Sequence, residues 1–82
     1  MKNSSGVFQG VRDVLVENIG VDESEVTMNA DLSVDLGMDS LDHVEIIMAL
    51  EEKFGIVLPD EECDEIKSVE GLVNIVSKYT EQ

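Results

Sequence analysis

Asp35-Leu36-Gly37-Met38-Asp39-Ser40-Leu41 is a loop about to become a helix. Leu36 is apolar and can anchor the loop in a core. Gly37 permits backbone angles that other residues avoid. Asp and Ser are preferred at helix starts, because their side-chain oxygens accept the free N–H groups of the first turn. A long helical pattern follows, from Leu41 to about Phe54. The start of a helix favours negative charge, through its exposed N–H groups and its dipole. The Ser40 hydroxyl therefore stands where a covalently attached phosphate would be tolerated. The ordinary reading of such a serine is a plain N-cap, and local chemistry leaves both readings open.

Outward from Ser40, the helix shows two apolar stripes. Ile46, Leu50 and Phe54 recur at four-residue steps with Ile47 beside them, and should face a core. Leu41, Val44 and Met48 form a second stripe that begins next to Ser40. Asp39, Asp42, Glu45, Glu51 and Glu52 rim it. Such a stripe either packs on a neighbouring helix or awaits a partner protein, and the pattern alone does not choose.

Upstream, Val7, Val11, Val14, Leu15 and Ile19 mark one face of a first helix, with Gly20 as its stop. Gly10 lies inside it at a cost of about 1 kcal/mol relative to Ala. Residues 1–6 are small and polar and are expected to form a flexible tail before a domain covering 7–82. From Val26 to Met38 no helical period is sustained. Val26, Met28, Leu32 and Leu36 are expected to pin this long loop to the core. Downstream, Gly55 stops the second helix, and Pro59 suits the first position of a short third helix ending near Glu65, with Ile66 as its anchor. Ser68 is a fair N-cap for a last helix that buries Val69, Leu72, Val73 and Val76, and Tyr79 to Gln82 are expected to fray. The fold class is all-α: a small four-helix bundle of three main helices and one short one, with a long loop between the first two.

The chain has 19 acidic and 5 basic residues, a formal net charge of −14, and no Lys or Arg between Asp13 and Glu52. That field opposes nucleic acid and anionic membrane surfaces, and suits basic protein partners. Solubility alone is the plainer account of the same charge. At 4 % aromatic content the core must be aliphatic. The single cysteine, Cys63, excludes an internal disulfide and reads as a small buried residue whose acidic neighbours raise its thiol pKa. The N-terminal residues do not read as a signal peptide, and no apolar run approaches the roughly 20 residues of a membrane span. A cytoplasmic monomer is expected.

The run from Asp35 to Asp42, with Val44-Glu45, Met48-Ala49-Leu50-Glu51-Glu52-Lys53-Phe54 and Leu58-Pro59-Asp60-Glu61-Glu62, resembles the acyl carrier protein family. The similarity extends from about Val7 to about Val76. The resemblance implies that Ser40 bears a 4′-phosphopantetheine arm, attached from coenzyme A by a phosphopantetheinyl transferase (holo-acyl carrier protein synthase). The arm's thiol would hold acyl groups as thioesters, and the protein would perform no catalysis of its own. The resemblance makes the second helix a recognition helix, whose acids Asp39, Asp42, Glu45, Glu51 and Glu52 meet basic enzymes while Leu41, Val44 and Met48 add apolar contact. It also implies an acyl cavity lined by residues such as Ile47, Leu50, Ile66 and Val73. Fatty-acid synthesis is the default pathway, with a specialised carrier for a polyketide or other lipid product left open. Val34, Met38 and Cys63 depart from the commonest family residues.

Other chemistry fits less well. Ser40, Asp39 and His43 lack the Gly-x-Ser-x-Gly elbow of a hydrolase, and His43 reads as a solvent-facing helix residue. Asp31, Ser33, Asp35 and Asp42 echo a calcium loop, but its glycine is displaced by one place and its last ligand is Asp instead of Glu, so no dedicated metal site is expected. An acidic helical interaction or calcium-binding module without cofactor is the alternative from another class.

Overall fold

A computed structural model describes residues 4–80. Helix α1 spans Ser4–Ile19, α2 Ser40–Phe54, α3 Asp60–Cys63 and α4 Val69–Thr80, with one 3-10 turn at Glu23–Glu25 in the long connection. The four-helix, all-α expectation is met. Helix α1 starts earlier than expected, taking in Ser4, Ser5 and Gly6 of the anticipated tail, while 1–3 lie outside the described residues. At the other end α4 runs through Tyr79 and Thr80 without fraying, and 81–82 lie outside the described residues.

Helix α1 packs on both α2 and α4, which touch each other less. The core is aliphatic. Val11, Leu15, Ile46, Leu50, Val69, Leu72 and Val76 are completely sealed. Ile75, absent from the anticipated face of α4, is also buried. Each such side chain contributes about 1.5–3 kcal/mol relative to exposure, far more than any surface pair in a chain of this charge. Phe54 behaves differently from the expected stripe. It lies at the edge, half-buried, and its ring tip rests on the backbone of Gly10. A Cβ at Gly10 would strike that ring, which explains a glycine inside α1 despite its poor helix propensity.

The loop between α1 and α2 is tied down by backbone. The Leu32 N–H donates to the Lys67 carbonyl (2.9 Å) and the Val69 N–H to the Ala30 carbonyl (3.1 Å), around an isolated antiparallel bridge between Asp31 and Ser68. Val26, Leu32 and Leu36 are buried as expected, but Met28 is 37 % exposed, and Ala30 and Met38 serve as pegs in its place. Ser68 caps α4, its hydroxyl accepting the Gly71 N–H at 3.1 Å.

Helix α3 is a single turn, and Pro59 precedes it as N-cap instead of occupying its first position. It is fastened to α4 by Glu62, which accepts from the Tyr79 hydroxyl (2.8 Å) and the Lys78 ammonium (3.1 Å). The Tyr79 bond, then Lys78, holds the Glu62 carboxyl below its ordinary value of 4.5, while Glu62 raises both partners above theirs. A depressed carboxyl stabilises the fold above its unfolded pKa and loses that contribution as pH falls through the folded one. The raised Tyr79 and Lys78 stabilise below their unfolded values of 10.0 and 10.5 and lose it as pH rises. The fastening is therefore complete between about pH 5 and pH 9. Tyr79→Phe removes the donor without changing net charge. It should lower the thermal midpoint at pH 7, and the gap from the parent should narrow as pH drops below 4, as followed by circular dichroism.

Candidate functional site

The loop reaches α2 through a set of short-range bonds made by its acids. Asp31 Oδ1 accepts the N–H groups of Ser33 (2.9 Å) and Val34 (2.8 Å), and Asp35 Oδ2 accepts the Asp31 N–H at 2.7 Å. These are the bonds by which short acidic side chains hold turns. Gly37 follows with φ of 71°, a left-handed conformation that any side chain would strain, and its N–H donates to the Ser33 carbonyl. Met38 turns inward and its N–H donates to Leu32.

Asp39, not Ser40, is the N-cap of α2. Asp39 Oδ1 accepts the Asp42 N–H at 2.9 Å, and Asp42 Oδ2 accepts the Asp39 N–H at 3.2 Å, a reciprocal capping box. Ser40 is the first helical residue. It is exposed, and its hydroxyl has no hydrogen-bond partner among the described residues. The cap is thus supplied by the neighbour, and the Ser40 Oγ is left without a partner among the described residues. The same bonds occupy Asp31, Asp35 and Asp42 with backbone, and among the described residues no group of three His, Cys, Asp or Glu is gathered for a metal ion.

Ser40 opens onto a shallow cleft shared by Val34, Met38, His43, Val44 and Ile66. Of the four acyl-cavity candidates, Ile66 alone lines it, whereas Ile47, Leu50 and Val73 are closed into the core. His43 departs from expectation. It is half-buried, and its Nε2 lies 2.9 Å from the Cys63 carbonyl, joining α2 to the end of α3. Cys63 itself is sealed, and burial, then the Glu51 charge and its other acidic neighbours, pushes its thiol up to about 11. At neutral pH it is inert.

The second stripe of α2 is uncovered: Leu41 is 74 %, Val44 54 % and Met48 62 % exposed, with Val34 beyond them at 82 %. Among the described residues no other helix covers it. The acids around it differ in freedom. Glu45 and Glu52 are exposed, Asp39 and Asp42 are bound in the cap, and Glu51 Oε2 accepts the Leu58 N–H at 2.8 Å. Sequence spacing had no means of separating these roles, because the partners are backbone amides.

A small bundle that holds out one unshielded hydroxyl beside an uncovered acidic and apolar helix face has the form of a carrier, a scaffold presenting a group to other proteins. Comparison with known proteins agrees. A family model for the phosphopantetheine attachment site matches residues 9–76. An acyl carrier protein of Clostridium acetobutylicum is 46 % identical over 76 residues, 93 % of this chain and 99 % of the relative. Acyl carrier proteins of Campylobacter concisus and Campylobacter curvus are 47 % and 49 % identical over 72 residues, 88 % of this chain and 94 % of each relative. The chain belongs to the acyl carrier protein family: it is a carrier and not an enzyme, with phosphopantetheine as its cofactor. Among the described residues no helix is long and apolar enough to cross a membrane.

The division between cap and hydroxyl can be checked by unfolding. In 0.15 M salt, Asp39→Ala should cost about 1 kcal/mol of stability, the ordinary value of a lost N-cap. Ser40→Ala should leave the unfolding free energy from urea titration within about 0.5 kcal/mol of the parent, as expected at a surface position without bonds.

Proposed function

We propose that Ser40 is the attachment point of the phosphopantetheine arm and that the chain serves fatty-acid synthesis, in the cytoplasm, as a monomer. The observation that carries the first part is the free, exposed Ser40 Oγ at the first position of a helix whose cap is supplied by Asp39. The site fits the group. The oxygen needs no release from an internal bond, the start of a 15-residue helix favours a phosphate, and the adjoining cleft has apolar walls at Val34, Met38 and Ile66. When bound, the arm supplies a thiol that holds acyl groups as thioesters. The chain's own residues position it. Asp39 and Asp42 set the helix start, and Leu32, Leu36 and Met38 anchor the loop that delivers Ser40. The acyl cavity would need movement of the core around Ile47, Leu50 and Val73, since these three are closed off.

Leu41, Val44 and Met48 form the apolar part of the docking face, and Glu45 and Glu52 are its free charges. Partners are a phosphopantetheinyl transferase and acyl-processing enzymes with basic surfaces, bound weakly enough to exchange. The fatty-acid reading is supported by the similarity of α2 and of Leu58-Pro59-Asp60-Glu61-Glu62 to that branch of the family.

Two experiments test this. Incubation with coenzyme A, magnesium and a broad-specificity phosphopantetheinyl transferase should add one phosphopantetheine to the parent by intact mass and nothing to Ser40→Ala. Addition to the variant would place the arm elsewhere. For docking, Glu45→Lys with Glu52→Lys should weaken binding to a basic acyl carrier synthase at least tenfold at low salt, measured by calorimetry, and the difference should shrink in 0.5 M salt.

A further inference from the structure

The cleft at Ser40 is lined by four charged residues besides His43: Asp31 from the loop, Asp39 at the start of α2, and Asp64 and Lys67 from the connection between α3 and α4. Three of the four are acids. A phosphate fixed at Ser40 would therefore meet mostly like charge at its rim, and among the described residues lining the cleft only His43 and Lys67 can oppose it. Lys67 is exposed on a long, free side chain, whereas His43 is held. His43 follows Ser40 by three residues, which puts the two Cβ atoms about 5–6 Å apart on one face of the helix.

The Cys63 carbonyl can only accept, so the Nε2 of His43 must carry the proton of that 2.9 Å bond. Nδ1 has no partner among the described residues. A second proton on Nδ1 turns the ring into a cation without breaking the bond to Cys63. The ring is thus a pinned group that can acquire a donor and a positive charge in place, with no cost of freezing a flexible chain.

We propose that His43 is a positioning residue for the first link of the arm: its imidazolium pairs with the phosphodiester on Ser40 and restrains it against the cleft. The proposal rests on Ser40 being the attachment point. A phosphodiester anion beside the ring favours its charged form, so the pairing strengthens as pH falls and fades as it rises.

The test uses the full chain loaded from coenzyme A and confirmed by intact mass, followed by phosphorus NMR from pH 5 to 8. A phosphodiester does not titrate there, so any inflection of its resonance is transmitted from a neighbour. The chain has a single histidine. The loaded parent should show one sigmoidal shift in the imidazole range. His43→Gln, which keeps an N–H for the Cys63 carbonyl, should lose it, and Lys67→Ala should retain it. A flat resonance in a fully loaded parent, or an inflection surviving in His43→Gln, overturns the proposal and leaves the attachment reading standing. A chain that gains no mass at Ser40 overturns both.

Discussion

Everything at the functional end of the molecule depends on three backbone bonds: Leu32 N–H to the Lys67 carbonyl, Val69 N–H to the Ala30 carbonyl and Glu70 N–H to the Met28 carbonyl. They make a loop of some twenty residues behave as part of the fold. Without them, Leu32 and Leu36 would be apolar side chains on a free tether, and the start of α2 would have no fixed relation to the start of α4. With them, the loop is stitched to the entry of α4, the buried pegs fall into place, and the chain arrives at Asp39 already directed into a helix. The bonds are modest singly, about 1 kcal/mol each, but they are shielded by the core beneath and act together.

The helix start then divides two jobs that one residue usually performs. A serine at an N-cap spends its hydroxyl on the backbone and is a poor place for covalent chemistry. Here the aspartate before it takes the cap, with Asp42 returning the bond, and the serine keeps its oxygen. The acids of this region are consequently less uniform than a net charge of −14 suggests. Some hold turns and caps, Glu51 holds the Leu58 amide, and only a subset remains to meet another molecule.

Much of this was legible in the sequence. The apolar steps of α1, α2 and α4, the stops at Gly20 and Gly55, and the Ser68 cap are local patterns, and local patterns survive folding when packing agrees with them. The loop was harder, because a peg that enters a core without periodicity leaves no signature; Met28 has the size and apolarity of a peg and is exposed, while the small Ala30 is buried. The uncovered face of α2 was undecidable for a related reason, since an apolar stripe does not say whether a neighbour lies over it. His43 was misread because its partner is a carbonyl 20 residues away, and every residue has a carbonyl. The Phe54 ring on Gly10 belongs to the same group: the glycine was visible, its cause was a side chain 44 positions later.

Helix α3 is one turn long, too short to persist on its own backbone bonds, and it is held by its buried Cys63 and by side chains at both edges: His43 on one, Tyr79 and Lys78 on the other. Stability is therefore unevenly spread through so small a molecule. Releasing these few bonds opens one segment while the three long helices stay folded, so amides in α3 exchange with solvent through local opening and those in α1, α2 and α4 only through deeper unfolding. Hydrogen exchange therefore reads the turn beside Ser40's cleft by itself, where a global melting curve reads it together with the long helices to which it is fastened.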